Sequence, residues 1–360
     1  MERSTMLFEQ GATSNDRDQR NTEVERKLEN MYSATGFSHP NIALIKYWGN
    51  RDDKLRIPSN GSISMNLDGL YTRTQVWFDP QFDQDELILE GHQVAGTAQK
   101  RVSTLLDRVR DMAGFSLYAN IQSYNNFPPG TGIASSASAF AALTVAACCA
   151  AGLELSQRDL SRLARTGSGS ACRSIPGGFV EWQAGDDDKS SYAFTIAPTS
   201  HWELVDCIVI VSQDPKHTSS EEGHALAESS PFQATRIADA QGRLDICRRA
   251  IKKHDFDALA KVVELDSNLM HAVIMTSNPP LLYWLPATLA VIHAVKELRA
   301  QGTAVCYTID AGPNVHVICP KEDADYISAQ LNQIHGVQKI LTANPGGPAS
   351  CIIDVDASNT

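Results

Sequence analysis

Two periods of apolar and polar positions run through the chain, and each predicts a different kind of element. Ser62–Leu67 and Thr72–Phe78 alternate residue by residue and predict strands. Asn41–Trp48 is a short apolar run that ends in Lys46-Tyr47-Trp48-Gly49. Val94–Met112 has helical spacing, and Ser116–Tyr124 alternates again through Leu117, Ala119 and Ile121. A Pro/Gly-rich stretch at 127–132 leads into an Ala-rich helix that Gly152 closes. Leu160–Arg165 predicts a second helix, and Phe179–Gln183, Tyr192–Ile196 and Leu204–Ser212 predict strands. The second half is more helical: Phe232–Lys253, Phe256–Met275 and Pro286–Gln301 carry apolar residues near a 3.6 spacing. Ala304–Ile309 and Val315–Cys319 read as strands joined by the turn Asp310–Asn314, and Glu322–Ile334 as a last helix.

Helices and strands mix without strict alternation, and no internal repeat is evident. This predicts an α+β fold of two lobes with a cleft between them, the boundary falling near 185–205. Residues 1–36 read as a polar N-terminal extension, rich in Glu, Asp, Arg, Asn and Ser. Within it, Thr22–Met31 forms at most a short charged helix with little to bury. Residues 37–195 and 196–360 are the two expected lobes.

Composition narrows the function. The 360 residues are 42% hydrophobic and 20% charged, enough for a large core, and the formal net charge is −11. That balance argues against a general nucleic-acid or acidic-lipid binder, whose footprint is basic. A small anionic ligand needs only a few local cations. Ala134–Gly152 is about as long as a membrane span, yet it is mostly Ala and contains Ser135, Ser136, Ser138, Cys148 and Cys149. It is expected to be a buried helix of a globular protein, with no membrane partner. The N-terminus lacks the pattern of a secretory signal, so the expected location is cytoplasmic. The eight cysteines show no CxxC and no metal-ligand spacing. Most sit in apolar runs as small hydrophobes, and Cys172 has no evident base beside it.

Three segments carry candidate chemistry. Phe127–Ser138 holds Pro128, Pro129, Gly130 and Gly132, then Ala134, Ser135, Ser136, Ala137 and Ser138 at a helix start. Glycines let backbone N–H groups approach a phosphate, the helix N-terminus adds partial positive charge, and hydroxyls bind phosphate or help hold a metal. No Walker pattern follows, and a plain Gly-led helix start is the alternative. In Gly167–Ser174 a run of small residues precedes Arg173, whose planar fork suits a carboxylate or phosphate; a turn with a surface Arg is the alternative. In Asp310–Asn314 an Asp stands at a strand end, placed to act as base or orient a hydroxyl, or simply to cap the turn.

Taken together, these segments resemble the ATP-dependent mevalonate-diphosphate decarboxylases of the GHMP small-molecule kinase superfamily. The matching text is Asn41–Gly49, Pro58–Ser64, Gly132–Ser136, Gly167–Ser174, Gly177–Trp182, Met270–Ala272 and Asp310–Asn314, spanning about residues 37–345. IKYWG and DAGPN are specific to the decarboxylase branch, whereas the Gly/Ser loop is shared by the superfamily. The resemblance implies a two-lobed GHMP-kinase-like fold with the active site between the lobes. ATP and Mg2+ are the implied cofactors. The expected partner is a phosphorylated mevalonate derivative, with no nucleic acid; as an assembly, a homodimer is expected. The implied reaction phosphorylates the tertiary hydroxyl; the new phosphate then leaves, CO2 departs and an alkene forms. By resemblance Asp310 sits near the tertiary hydroxyl as base or aligning group, Arg173 grips the carboxylate, and Lys46 supplies positive charge. Gly130, Gly132, Ala134, Ser135 and Ser136 belong to the phosphate loop, with Ser136 also toward Mg2+. Tyr47, Ser168, Ser170 and Ser220 are expected at the substrate.

Two positions depart from the family pattern. The family motif reads IKYWGK, and its second Lys meets the terminal phosphate of a diphosphate; here Asn50 stands there. The family also carries a Ser-Arg pair where this chain has Ser220 and Glu221. Both changes remove attraction for a distal phosphate, which points to 5-phosphomevalonate as substrate and isopentenyl phosphate as product. Another cation, among Arg51, Lys54, Lys216 and His217, would restore diphosphate binding. Asp310 argues against a mevalonate 3-kinase, and the retained Asp310, Arg173 and Ser136 argue against a paralogue that only binds ATP.

Overall fold

The computed structural model describes residues 33–127, 135–214 and 218–354. Its strands are β1 (Ser33–Ser38), β2 (Asn41–Ile45), β3 (Asn50–Asp52), β4 (Ile57–Pro58), β5 (Ser62–Asn66), β6 (Thr72–Asp79), β7 (Glu86–Leu89) and β8 (His92–Val94). Then come helix α1 (Thr97–Ala113), β9 (Tyr118–Asn125), α2 (Ser135–Ala150), α3 (Gln157–Gly167) and a 3-10 turn at Gly169–Ser174. β10 (Phe179–Gln183), β11 (Tyr192–Ala197) and β12 (Leu204–Ile210) precede α4 (Ser220–Leu226), α5 (Gln233–Ala238), α6 (Ala240–Lys253), α7 (Phe256–Met275) and α8 (Pro286–Ala300). β13 (Cys306–Thr308), β14 (Val315–Pro320), α9 (Ala324–Leu331), β15 (Lys339–Ala343) and β16 (Ser350–Asp354) are the last of the described elements.

Three sheets organise these elements. The first runs β16-β1-β6-β9-β7-β8, the second β11-β10-β5-β2 and the third β13-β14-β12-β15, while β3 and β4 form a separate hairpin. The N-terminal lobe thus holds the first two sheets, and the C-terminal lobe the third. The α+β expectation is met. α2 is buried nearly all round, as a helix without a polar face must be. Its small side chains let it press onto the first sheet: a Cβ added at Gly36 of β1 would lie 2.2 Å from the carbonyl oxygen of Ala142. Among the described residues no helix is long and apolar enough to cross a membrane.

Several features were not expected. β1 begins at Ser33, inside the stretch taken for a polar tail. β16 leaves the C-terminal lobe and pairs antiparallel with β1, so this strand belongs to the first lobe's sheet. Cys149 in α2 and Cys351 in β16 form a disulfide, while the other six cysteines are buried and free. A separation of 202 residues hides that pairing from any spacing rule. The helix expected over Phe232–Lys253 is two helices. The break falls at Asp239, whose backbone is at φ −94° and ψ 0°, and whose carboxylate accepts from Arg243 Nη1 at 2.8 Å.

Candidate active site

Lys46 leaves β2 as the chain turns from the N-terminal lobe toward the helices of the C-terminal lobe. Its backbone is clamped from that side. Its N–H donates to Asp266 Oδ2 at 2.6 Å, and its carbonyl accepts from Arg236 Nη2 at 2.8 Å and Asn60 Nδ2 at 2.9 Å. Asp266 also accepts from Arg243 Nε at 2.7 Å, so α5, α6 and α7 jointly fix this one peptide. With the backbone held, the side chain reaches Asp310, and Nζ lies 2.5 Å from Oδ1. Lys46 is 1% exposed, whereas Asp310 keeps 27% of its side chain open to the cleft.

The pair's electrostatics follow from that asymmetry. Burial pushes Asp310 up, but Lys46, His316 and Arg173 together outweigh it and hold the carboxyl below its ordinary range. Burial lowers the Lys46 ammonium, with Asp310 opposing. Asp310 is therefore an ionised carboxylate. The turn that carries it is pinned by Asn314, whose Oδ1 accepts from the N–H of Val211 at 2.7 Å and of Ser212 at 3.1 Å.

α3 is capped by Ser156, which accepts from the N–H of Asp159, and ends at Gly167. Ser168 is extended, and the 3-10 turn then presents Ser170 and Arg173. This turn needs its glycine: a Cβ at Gly169 would lie 2.6 Å from the Tyr47 hydroxyl. Arg173 is 3% exposed. Its Nε donates to Asn41 Oδ1 at 3.2 Å and its Nη1 to Ser62 Oγ at 2.6 Å, and the rest of the guanidinium lines the cleft. The neighbouring Cys172 points into the core, where burial above all pushes its thiol up to about 12.

Lys46, Arg173 and Asp310 line one cleft of about 420 Å3 together with Tyr47, Ser135, Ser136, Ser168, Ser170, Ser220 and Glu221. Ser136 Oγ is 3.5 Å from Ser168 Oγ, which joins α2 to the residue that leads into the 3-10 turn. Two hydroxyls, one of them in the first turn of a 16-residue helix, suit phosphate oxygens. Among the described residues no cluster of His, Cys, Asp or Glu forms a separate metal site. A magnesium ion brought in on nucleotide phosphates would find the Ser136 hydroxyl as a ligand on the cleft wall. Gly130, Gly132 and Ala134 lie outside the described residues, as do Lys216 and His217.

Asn50 is not on the cleft wall. It stands behind Tyr47, accepting from its hydroxyl and donating to Asp53 Oδ1 at 2.9 Å. Arg51 turns away toward Pro58, Gly185 and Asp186, and Lys54 is exposed outside the cleft. Among the described residues, the cations that reach Glu221 are Arg56 and Arg101. Arg56 Nη2 donates to Oε1 at 2.6 Å, and Arg101 Nη1 lies 3.4 Å from Oε2. Burial pushes Glu221 up, but these two arginines prevail and hold it below its ordinary range.

Sequence reasoning missed Arg56, Arg101, Asn41 as the orienter of Arg173, and His224. The His224 ring stacks on Tyr47 and leans on Trp48, with centroids 4.2 and 4.5 Å apart, and its Nδ1 accepts from the N–H of Gly49 at 2.9 Å. Burial, then the charges of Arg56, Arg236 and Arg173, depress it to about 3, so it is a neutral wall of the cleft. The Pro345–Pro348 loop does not line the cleft. It docks on the second sheet through bonds from Gly346 N to Asn66 O at 2.7 Å and from Gly178 N to Gly346 O at 2.8 Å.

Comparison with known proteins bears on both lobes. Residues 38–193 match the diphosphomevalonate decarboxylase-like N-terminal domain, and residues 207–354 match the mevalonate 5-diphosphate decarboxylase C-terminal domain. A diphosphomevalonate decarboxylase of Ganoderma lucidum is 39% identical over 317 residues, covering 81% of this chain and 79% of the relative. A phosphomevalonate decarboxylase of Haloferax volcanii is 34% identical over 325 residues, covering 90% of this chain and 99% of the relative. A solved structure described as MDDEF in complex with MVAPP, AMPPCP and magnesium superimposes with a TM-score of 0.85 at 36% identity, covering 90% of this chain and 99% of that one.

Proposed function

We propose that this chain, which belongs to the mevalonate diphosphate decarboxylase family of the GHMP superfamily, converts 5-phosphomevalonate and ATP to isopentenyl phosphate, CO2, ADP and phosphate. The observation that carries the choice of a monophosphate is Glu221. An ionised carboxylate stands on the cleft wall, bound to both Arg56 and Arg101. It satisfies cations that a second phosphate would otherwise claim, and it repels that phosphate. The name of the Haloferax relative supports this reading.

Each residue then has a defined task. Asp310 receives the proton of the tertiary hydroxyl or aligns that oxygen, and Lys46 keeps the carboxylate ionised. Arg173, its fork pre-set by Asn41 and Ser62, holds the substrate carboxylate at the other end of the breaking C–C bond. Ser135 and Ser136 hold the nucleotide phosphates, and Ser168 and Ser170 bind the substrate. ATP supplies the phosphoryl group that makes the tertiary oxygen a leaving group, and magnesium neutralises phosphate charge. When that phosphate departs with the C–O electron pair, the C–C pair of the leaving CO2 becomes the alkene.

A second reading, the diphosphate as substrate, draws on the same two arginines. It requires Glu221, 48% exposed, to swing toward solvent and release them. The reaction class is tested by incubating the protein with 5-phosphomevalonate, ATP and magnesium and measuring ADP and CO2 together. Equal yields of the two are expected. ADP release without CO2 would make the protein a 3-kinase.

A further inference from the structure

We infer that Arg56 and Arg101 form an anion clamp for which Glu221 is an internal ligand, and that Glu221, by occupying the clamp, determines how many phosphates the substrate carries. This inference rests on the monophosphate reading of the same cleft. Arg56 sits in the tip between β3 and β4 with φ at +50°, a backbone state costly for a residue with a side chain. The unusual backbone aims the side chain inward, leaving it only 14% exposed. Its Nε donates to Thr166 O at 3.3 Å, at the end of α3. Arg101, from the first turns of α1, reaches the same place and donates from Nη2 to Gly167 O at 2.9 Å. Its guanidinium lies 4.9 Å from the Phe140 ring centroid.

Two consecutive carbonyls therefore anchor two guanidinium groups; Arg56 donates a further N–H to one oxygen of the Glu221 carboxylate, and Arg101 forms an ion pair with the other. Two guanidinium groups that converge on one carboxylate can equally converge on a phosphate. Two arginines and one glutamate leave a single net positive charge. That is suited to one phosphate and is in deficit for two. Glu221 is held out over the cleft by the capping box of α4, in which Ser219 accepts from Glu222 N and Glu222 accepts from Ser219 N. The carboxylate is thus a built part of the clamp.

The test compares the wild type, E221Q, R56N and the double variant, using ADP release with 5-phosphomevalonate and with 5-diphosphomevalonate at saturating ATP and magnesium. Asn is chosen at 56 because it tolerates a positive φ. E221Q frees both arginines, so kcat/KM for the diphosphate should rise relative to the monophosphate by at least about tenfold, mainly through KM. R56N should raise KM for both substrates by more than about tenfold, because Glu221 is left half-paired. Adding E221Q to R56N should restore part of that loss, a coupling that an independent structural role would not give. A diphosphate-to-monophosphate ratio that E221Q leaves within about twofold of wild type overturns the clamp. E221Q alone decides this should R56N not fold. A wild-type preference for the diphosphate, with the ratio still shifted by E221Q, rejects the monophosphate reading and leaves the clamp standing.

Discussion

The Lys46–Asp310 contact puts a nearly sealed ammonium behind a carboxylate that still opens onto the cleft. Such a carboxylate is an acceptor, able to take or align a hydroxyl proton, because its own proton is lost well below neutral pH. On the proposed mechanism Asp310→Asn keeps the size and removes the charge. It should leave ATP binding intact and cut turnover by roughly a hundredfold or more. Single-turnover rates with nucleotide affinity measured alongside check this, and near-normal turnover would remove Asp310 from the chemistry. Asp310, Arg173, Ser168 and Ser170 were legible in the sequence because each sits in a run of small residues or at a strand end. Arg56 and Arg101 were not. Each is a charged residue in a polar stretch, and only the folded hairpin and α1 bring them to Glu221.

At the scale of elements, helices α1, α7 and α8 were readable from their apolar period, and α2 from its Ala-rich run closed by Gly152. The short strands β3, β4, β7 and β8 were not, since two to four residues do not establish a period. Also hidden was the brace in which α5, α6 and α7 hold the end of β2 through Arg236, Arg243 and Asp266. Asp266 is wholly buried. Asp266→Ala removes the buried carboxylate that faces both Arg236 and Arg243, leaving Arg243 only the exposed Asp239, and it should cost about 3–5 kcal/mol in urea unfolding. A loss below about 1 kcal/mol would mean the brace does not hold.

The histidines on these elements give a pH signature. Burial above all depresses His224 on α4 and His271 on α7 to about 3, against an ordinary 6.5. Below pH 6.5 the unfolded chain takes up protons that the folded one cannot, so stability falls as pH drops from 6.5 toward 3. At pH 5 the loss is roughly 2 kcal/mol for each histidine. Urea unfolding at pH 7.5 and 5.0 measures it, and equal stabilities would contradict the buried neutral rings.

At the scale of the molecule, the two-lobed plan and its cleft were legible, but the closure of the chain was not. β16 crosses from the third sheet back to β1, and the Cys149–Cys351 disulfide joins it to α2. That crossing draws on residues at opposite ends of the sequence, which no local pattern links. The lobes meet at a cleft whose two halves divide the work. The N-terminal side supplies Lys46, Arg173, Ser135, Ser136 and the paired arginines, and the C-terminal side supplies Asp310 and Glu221. On the proposed reading the substrate is selected across that seam, by a carboxylate of one lobe bound to arginines of the other. Internal competition measures this selection most directly. Equal concentrations of 5-phosphomevalonate and 5-diphosphomevalonate are supplied with ATP and magnesium to the unmodified protein, and initial yields of isopentenyl phosphate and isopentenyl diphosphate are read by mass spectrometry. The ratio of yields is the ratio of kcat/KM. An excess of isopentenyl phosphate of at least about tenfold, equivalent to about 1.4 kcal/mol of differential transition-state binding, is expected. Equal yields, or an excess of isopentenyl diphosphate, would contradict the monophosphate as substrate.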